Sequence, residues 1–66
     1  MFIILRRDTP NYAWVKSIHT TLDSADARWT SLAKGLGRDV QVSEIYSVHE
    51  TKQKFKKGQR IRYSDL

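Results

Sequence analysis

No cysteine occurs anywhere in this chain, and its two histidines stand thirty positions apart. The first absence excludes a disulfide framework and any thiolate metal cluster. The second leaves His19 and His49 without metal-ligand spacing, so neither a metal nor another cofactor is expected. Long apolar runs are missing as well. The opening stretch from Met1 to Leu5 is far shorter than the roughly 18 residues of a membrane span, and Arg6, Arg7 and Asp8 follow it at once. No basic region precedes that stretch, so it does not read as a secretory signal. The expectation is a soluble cytoplasmic protein with no membrane partner.

Catalytic signatures are equally scarce. The three glycines and single proline build no phosphate-cradling loop, and there is no G-x-S-x-G turn and no H-E-x-x-H pair. Asp23 and Asp26 are spaced carboxylates, but a place in the first turn of a helix explains them without chemistry. His19 and His49 read as structural or solvated side chains. A chain of 66 residues also has little room for a water-excluding pocket. No catalytic residue is assigned, and the chain is not read as an enzyme.

What is present is a segregated charge. Residues 1–51 hold six basic groups (Arg6, Arg7, Lys16, Arg28, Lys34, Arg38) against six acidic ones (Asp8, Asp23, Asp26, Asp39, Glu44, Glu50). Residues 52–66 hold Lys52, Lys54, Lys56, Lys57, Arg60 and Arg62 against Asp65 alone, so the net +5 is wholly C-terminal. Such asymmetry points to nucleic acid or another anionic surface.

The pattern of apolar residues predicts a small α+β fold. Residues 2–7 form a strand that is apolar on both faces, hence central or covered. Asp8-Thr9-Pro10-Asn11 is a turn. Tyr12, Trp14, Lys16 and Ile18 alternate with Ala13, Val15 and Ser17, giving a second strand paired with the first. Leu22, Ala25, Trp29, Leu32, Ala33 and Leu36 recur at helical spacing. Thr20 or Thr21 caps that helix, and a left-handed Gly35 or Gly37 stops it. Residues 39–48 read as a third strand, with a bulge near Ser43 or Glu44 to bring Val40 and Val42 into phase with Ile45 and Val48. Residues 52–63 read as a hairpin turning at Lys57-Gly58. A short helix ending at Gly58 and a disordered tail are the alternatives. The expected architecture is a small antiparallel sheet with one helix packed on one face, in the order ββαβ plus a C-terminal strand. Residues 1–51 make the ββαβ core and residues 52–66 the basic segment of what is one domain. A core this small is marginal, since such chains bury only about 60% of their unfolded surface. A homodimer is compatible with its exposed sheet edge.

Candidate binding residues follow from that layout. In the hairpin, Lys52, Lys54 and Lys56 would line one face, with Arg60 and Arg62 on the return strand and Lys57 at the turn. Such a two-stranded ribbon can follow a phosphate backbone or enter a groove. Lysines on an exposed edge strand that merely prevent edge pairing are the plain alternative, and an acidic protein surface is a third. Tyr63 and Phe55 would add stacking or anchor the ribbon. Trp29 belongs to the helical stripe and reads as core. Trp14 is assigned to the core if its strand face lies under the helix. On the opposite face, Tyr12, Trp14 and Lys16 would form an exposed aromatic and cationic strip.

Two short strands, a helix opening Thr-Leu-Asp-Ser-Ala (residues 21–25) and the stretch Asp-Val-Gln-Val-Ser-Glu-Ile (residues 39–45) together resemble very small phage-encoded inhibitor proteins. The small phage inhibitors of bacterial RNA polymerase and small anti-CRISPR proteins are similar in layout over residues 2–48. The resemblance implies a chain that binds and disables or redirects a host component. Its basic tail departs from the acidic DNA-mimicking type of inhibitor. The leading expectation is therefore a non-catalytic module gripping nucleic acid through its basic segment. The second is a protein–protein inhibitor or adaptor acting on an acidic host surface.

Overall fold

The computed structural model describes all 66 residues. Four strands, β1 (Phe2–Arg7), β2 (Tyr12–His19), β3 (Tyr46–Glu50) and β4 (Arg60–Arg62), form one antiparallel sheet in the order β3-β1-β2-β4. The main helix, α1 (Leu22–Lys34), follows β2, and a single helical turn, α2 (Val42–Ile45), leads into β3. A 3₁₀ turn at Tyr63–Asp65 ends the described chain. No helix is long and apolar enough to cross a membrane.

β1 is the central strand, and Ile3, Ile4 and Leu5 are all fully buried. Successive strand residues point to opposite faces, so three buried neighbours in a row require cover on both. The pairing shows how each face is covered. Ile3 and Leu5 lie opposite Ile18 and Val15, and with Ala13 and Ile61 they make the main apolar cluster. Phe2, Ile4 and Arg6 share the other face with Val48 and Tyr46 of β3. α1 lies over this second face. His19 Nδ1 and Ser24 Oγ are hydrogen-bonded at 2.8 Å, and Trp29 Nε1 donates to the Tyr46 carbonyl at 3.4 Å. Fully buried Ala25 is small enough to let the helix sit close to the sheet.

β3 and β4 occupy opposite edges, so the chain between them, residues 51–59, has to cross a face. It crosses the Ile3–Leu5 face. Thr51 N–H donates to the Met1 carbonyl at 2.8 Å, Phe55 and Tyr63 pack on the apolar cluster, and Gly58 N–H reaches the Val15 carbonyl at 2.7 Å. The basic segment is thus the second covering layer of the sheet.

Several expectations are met. The first two strands stand where the periodicity put them, and Thr21 caps α1 by accepting from Ser24 N–H at 3.2 Å. Thr9 Oγ1 secures the turn before β2 by accepting from the Asn11 and Tyr12 amides. Other expectations are corrected. Residues 39–48 are not one strand. Val42 and Ile45, three apart, fall on the single turn of α2, which accounts for the break in phase without a bulge. The bulge is in β2 instead, where pairing with Ile4 and Leu5 passes from Ser17 to Val15 and leaves Lys16 over. Gly35 has φ −80°, and no left-handed glycine stops the helix.

Residues 52–63 form neither a hairpin, nor a helix, nor a disordered tail. Only Arg60–Arg62 is strand, and it pairs with β2 rather than with a preceding arm. Lys57-Gly58 is nevertheless a turn, closed by Gln59 N–H on the Lys56 carbonyl at 3.0 Å. Gly58, the third residue of that turn, has φ +85°, the only positive φ in the chain. An added Cβ there meets nothing within 4 Å, so the backbone alone resists it. Gly58→Ala is expected to cost about 1–2 kcal/mol, seen as a lowered urea midpoint at unchanged slope.

Candidate nucleic-acid interface

α1 runs diagonally, from the end of β2, where Ser24 meets His19, to the start of β3, where Trp29 meets Tyr46. Its path leaves open the corner formed by the start of β2 and by β4. The register across that corner is a row of four side chains on one face. Tyr46 of β3 lies opposite Arg6 of β1, Arg6 opposite Trp14 of β2, and Trp14 opposite Arg60 of β4. A second pair, Tyr12 opposite Arg62, lies beside it on the same face.

Trp14 is 41% exposed. Its assignment to the core is therefore corrected: Ala13 and Val15 point into the Ile3–Leu5 cluster, and Tyr12 and Trp14 occupy the open corner of the opposite face, beside α1. The core took the small and branched residues on the side that residues 51–59 cover, while the large rings fell on the corner of the opposite face that α1 does not reach.

Tyr12 organises the two strand arginines. The Arg60 guanidinium lies 4.2 Å from the Tyr12 ring centroid and 5.9 Å from that of Trp14. Arg62 Nη2 donates to the Tyr12 hydroxyl at 2.9 Å, with its guanidinium carbon 5.4 Å from the ring centroid. That hydrogen bond, with attraction from Tyr12 and Asp65, raises the Arg62 pKa above its ordinary value. Arg60 also pairs with Asp8 at 3.1 Å. This is the only ion pair in the molecule, and it is exposed, a setting in which such pairs contribute little and open readily.

The other candidates are placed separately. Lys52, Lys54, Lys56 and Lys57 are exposed on the crossing segment, not in register with Arg60 and Arg62 on one ribbon. Two adjoining clefts flank β4. One, of about 490 Å³, is lined by Tyr12, Gln53, Phe55, Arg60 and Arg62 among others, and the second lies between Tyr12, Arg62 and Tyr63. Tyr63 itself is half-buried beside His49, with ring centroids 6.5 Å apart. Burial pulls the His49 pKa below its ordinary value, and Ser47 Oγ is hydrogen-bonded to its Nε2 at 2.7 Å. His19 ties β2 to α1 through Ser17 and Ser24. Arg6 and Tyr46 were not singled out from sequence. The available signal was the period-2 series Phe2, Ile4, Arg6, whose last member had to leave the core on the helix-covered face.

The chain is a small α+β protein, a four-stranded antiparallel sheet with one main helix against it. No protein-family model matches it, and no curated protein and no solved structure matches it either.

Proposed function

We propose that this protein is a non-catalytic nucleic-acid-binding module that holds the phosphate backbone through its cations. The observation that carries the reading is electrostatic: among 12 basic and 7 acidic side chains only Arg60 and Asp8 are ion-paired. The remaining cations are available to phosphates, and release of condensed counterions would drive association. Arg62, held by its hydrogen bond to Tyr12, can reach a phosphate with its remaining N–H groups, and Arg60 can do so by exchanging Asp8 for the phosphate. Lys52, Lys54, Lys56 and Lys57 supply further charge from the crossing segment.

The test is a fluorescence-anisotropy titration with labelled oligonucleotides across a salt series. Six phosphate contacts predict a log–log salt slope of about −4 on a single strand and −5 on a duplex. Lys56→Gln with Lys57→Gln should reduce the slope by roughly one to two, since each lost contact removes 0.7–0.9. No binding at low salt, or binding indifferent to salt, overturns the proposal.

A second reading is an inhibitor or adaptor of the phage type that binds an acidic host protein. It is supported by Trp14, Tyr12 and two arginines standing together, the residue types that dominate binding energy at protein interfaces. Capture of one acidic host protein from nuclease-treated lysate, lost in Trp14→Ala, is its expected result. Loss of every partner on nuclease treatment overturns it.

A further inference from the structure

We infer that the open corner of the sheet takes single-stranded nucleic acid, with a base stacked on Trp14 and the flanking phosphates held by Arg6, Arg60 and Arg62. This rests on the nucleic-acid reading above and narrows it to one class of ligand and one face.

Three observations lead there. The first is the register. Trp14 has an arginine directly opposite on each neighbouring strand, Arg6 on β1 and Arg60 on β4. A base on the indole would therefore have a guanidinium on either side, where the backbone must enter and leave. The second is which ring is free. Tyr12 has Arg60 over its face at 4.2 Å and its hydroxyl occupied by Arg62. Trp14 has its nearest guanidinium at 5.9 Å, at the outer limit of a cation–π contact, and is 41% exposed. Tyr12 is thus a positioning residue for the arginines, and Trp14 the stacking surface.

The third is shape, which decides between strand states. Four strands at about 4.8 Å spacing separate the outer two by about 14 Å, wider than the ~12 Å major groove before side chains are added. Because β4 is built into this sheet, the arginines cannot enter a groove as a two-stranded ribbon. In a duplex both faces of a base are already stacked on its neighbours, whereas a single strand offers them to an aromatic platform. Charge complementarity completes the match, since the corner has three arginines against Asp8 and Asp65, in a chain of net +5.

Anisotropy with a labelled 12-nucleotide mixed-sequence single strand, its RNA equivalent and the duplex of the same sequence tests the inference. Trp14→Ala, Trp14→Phe, Tyr12→Phe and Arg62→Gln are compared with the parent, and circular dichroism confirms folding. The side chain of Trp14 is outside the core, so its removal leaves the sheet intact. Single strands are expected to bind at least tenfold tighter than duplex at equal salt. Trp14→Ala should lose about 5- to 150-fold on single strands, the effect of one stacked base, at an unchanged salt slope. Trp14→Phe should recover much of the loss, and Arg62→Gln should lower the salt slope. The fluorescence of Trp14 should be quenched on binding, with the change absent in Trp14→Phe. Duplex binding equal to or tighter than single-strand binding, or a folded Trp14→Ala that binds like the parent, overturns the inference and leaves the electrostatic module standing. No binding of any nucleic acid overturns both.

Discussion

Leu5→Ala is expected to remove about half of the protein's stability at room temperature. Leu5 is fully buried in the central strand, paired with Val15 and Ser47 and packed in the cluster with Ile3, Ala13 and Ile61. Replacing a buried leucine by alanine costs about 2–5 kcal/mol, the transfer of the lost methyls plus the cavity left behind. At 0.05–0.15 kcal/mol per residue, a chain of this length has only about 3–10 kcal/mol in total. At the middle of both ranges the variant loses about half of the total stability at a single position. Urea unfolding followed by circular dichroism reads the loss directly. Leu22→Ala is the control, because Leu22 is 48% exposed and should change stability by no more than about 0.5 kcal/mol. Equal effects at the two positions would show that the sheet is not organised around β1.

Removing the basic segment should be at least as severe. A fragment of residues 1–51 loses β4, Ile61 and the covering side chains Phe55 and Tyr63. One face of the sheet, with Ile3, Leu5, Ala13 and Val15, is then open to water, and the Tyr12–Trp14 edge of β2 loses its ladder partners. The expected result is loss of cooperative thermal unfolding and of near-ultraviolet circular dichroism. A fragment that melts cooperatively would show that α1 alone suffices to hold β1 and β2. The practical consequence for binding work is that charge must be removed by Lys→Gln substitution, never by truncation.

The parts legible in the sequence were those fixed by local periodicity. Ile3-Ile4-Leu5 marked a central or covered strand, Ala25 and Trp29 the helix, and Thr20 or Thr21 its cap, of which the structure uses Thr21. Each depends on neighbours within a few positions. Trp14 was not fixed in this way, because the period-2 pattern of β2 names two faces without saying how much of the covered one the helix reaches. That reach depends on the diagonal path of α1, set by contacts at His19 and Tyr46. The out-of-phase stretch before Val48 was visible, but a bulge and a helical turn leave the same mark. The tail posed a different difficulty. Its lysines at alternate positions match a strand, yet β3 and β4 at opposite edges demand a crossing, and Phe55 and Ile61 were the two residues announcing it. The candidate site was half legible: Arg60, Arg62, Tyr12 and Trp14 were named, while Arg6 joined them only through strand order.

The strand order also has a consequence in time. Forty residues separate the end of β2 from the start of β4. At synthesis rates of roughly 5–20 residues per second, β2 emerges some 2–8 s before the strand that pairs with its outer edge. Throughout that interval a growing chain offers unpaired amides and carbonyls beside Trp14, an invitation to neighbouring chains. Crowded ribosomes translating this message would be where the protein is most vulnerable, and slower elongation through residues 20–59 would lengthen the exposure.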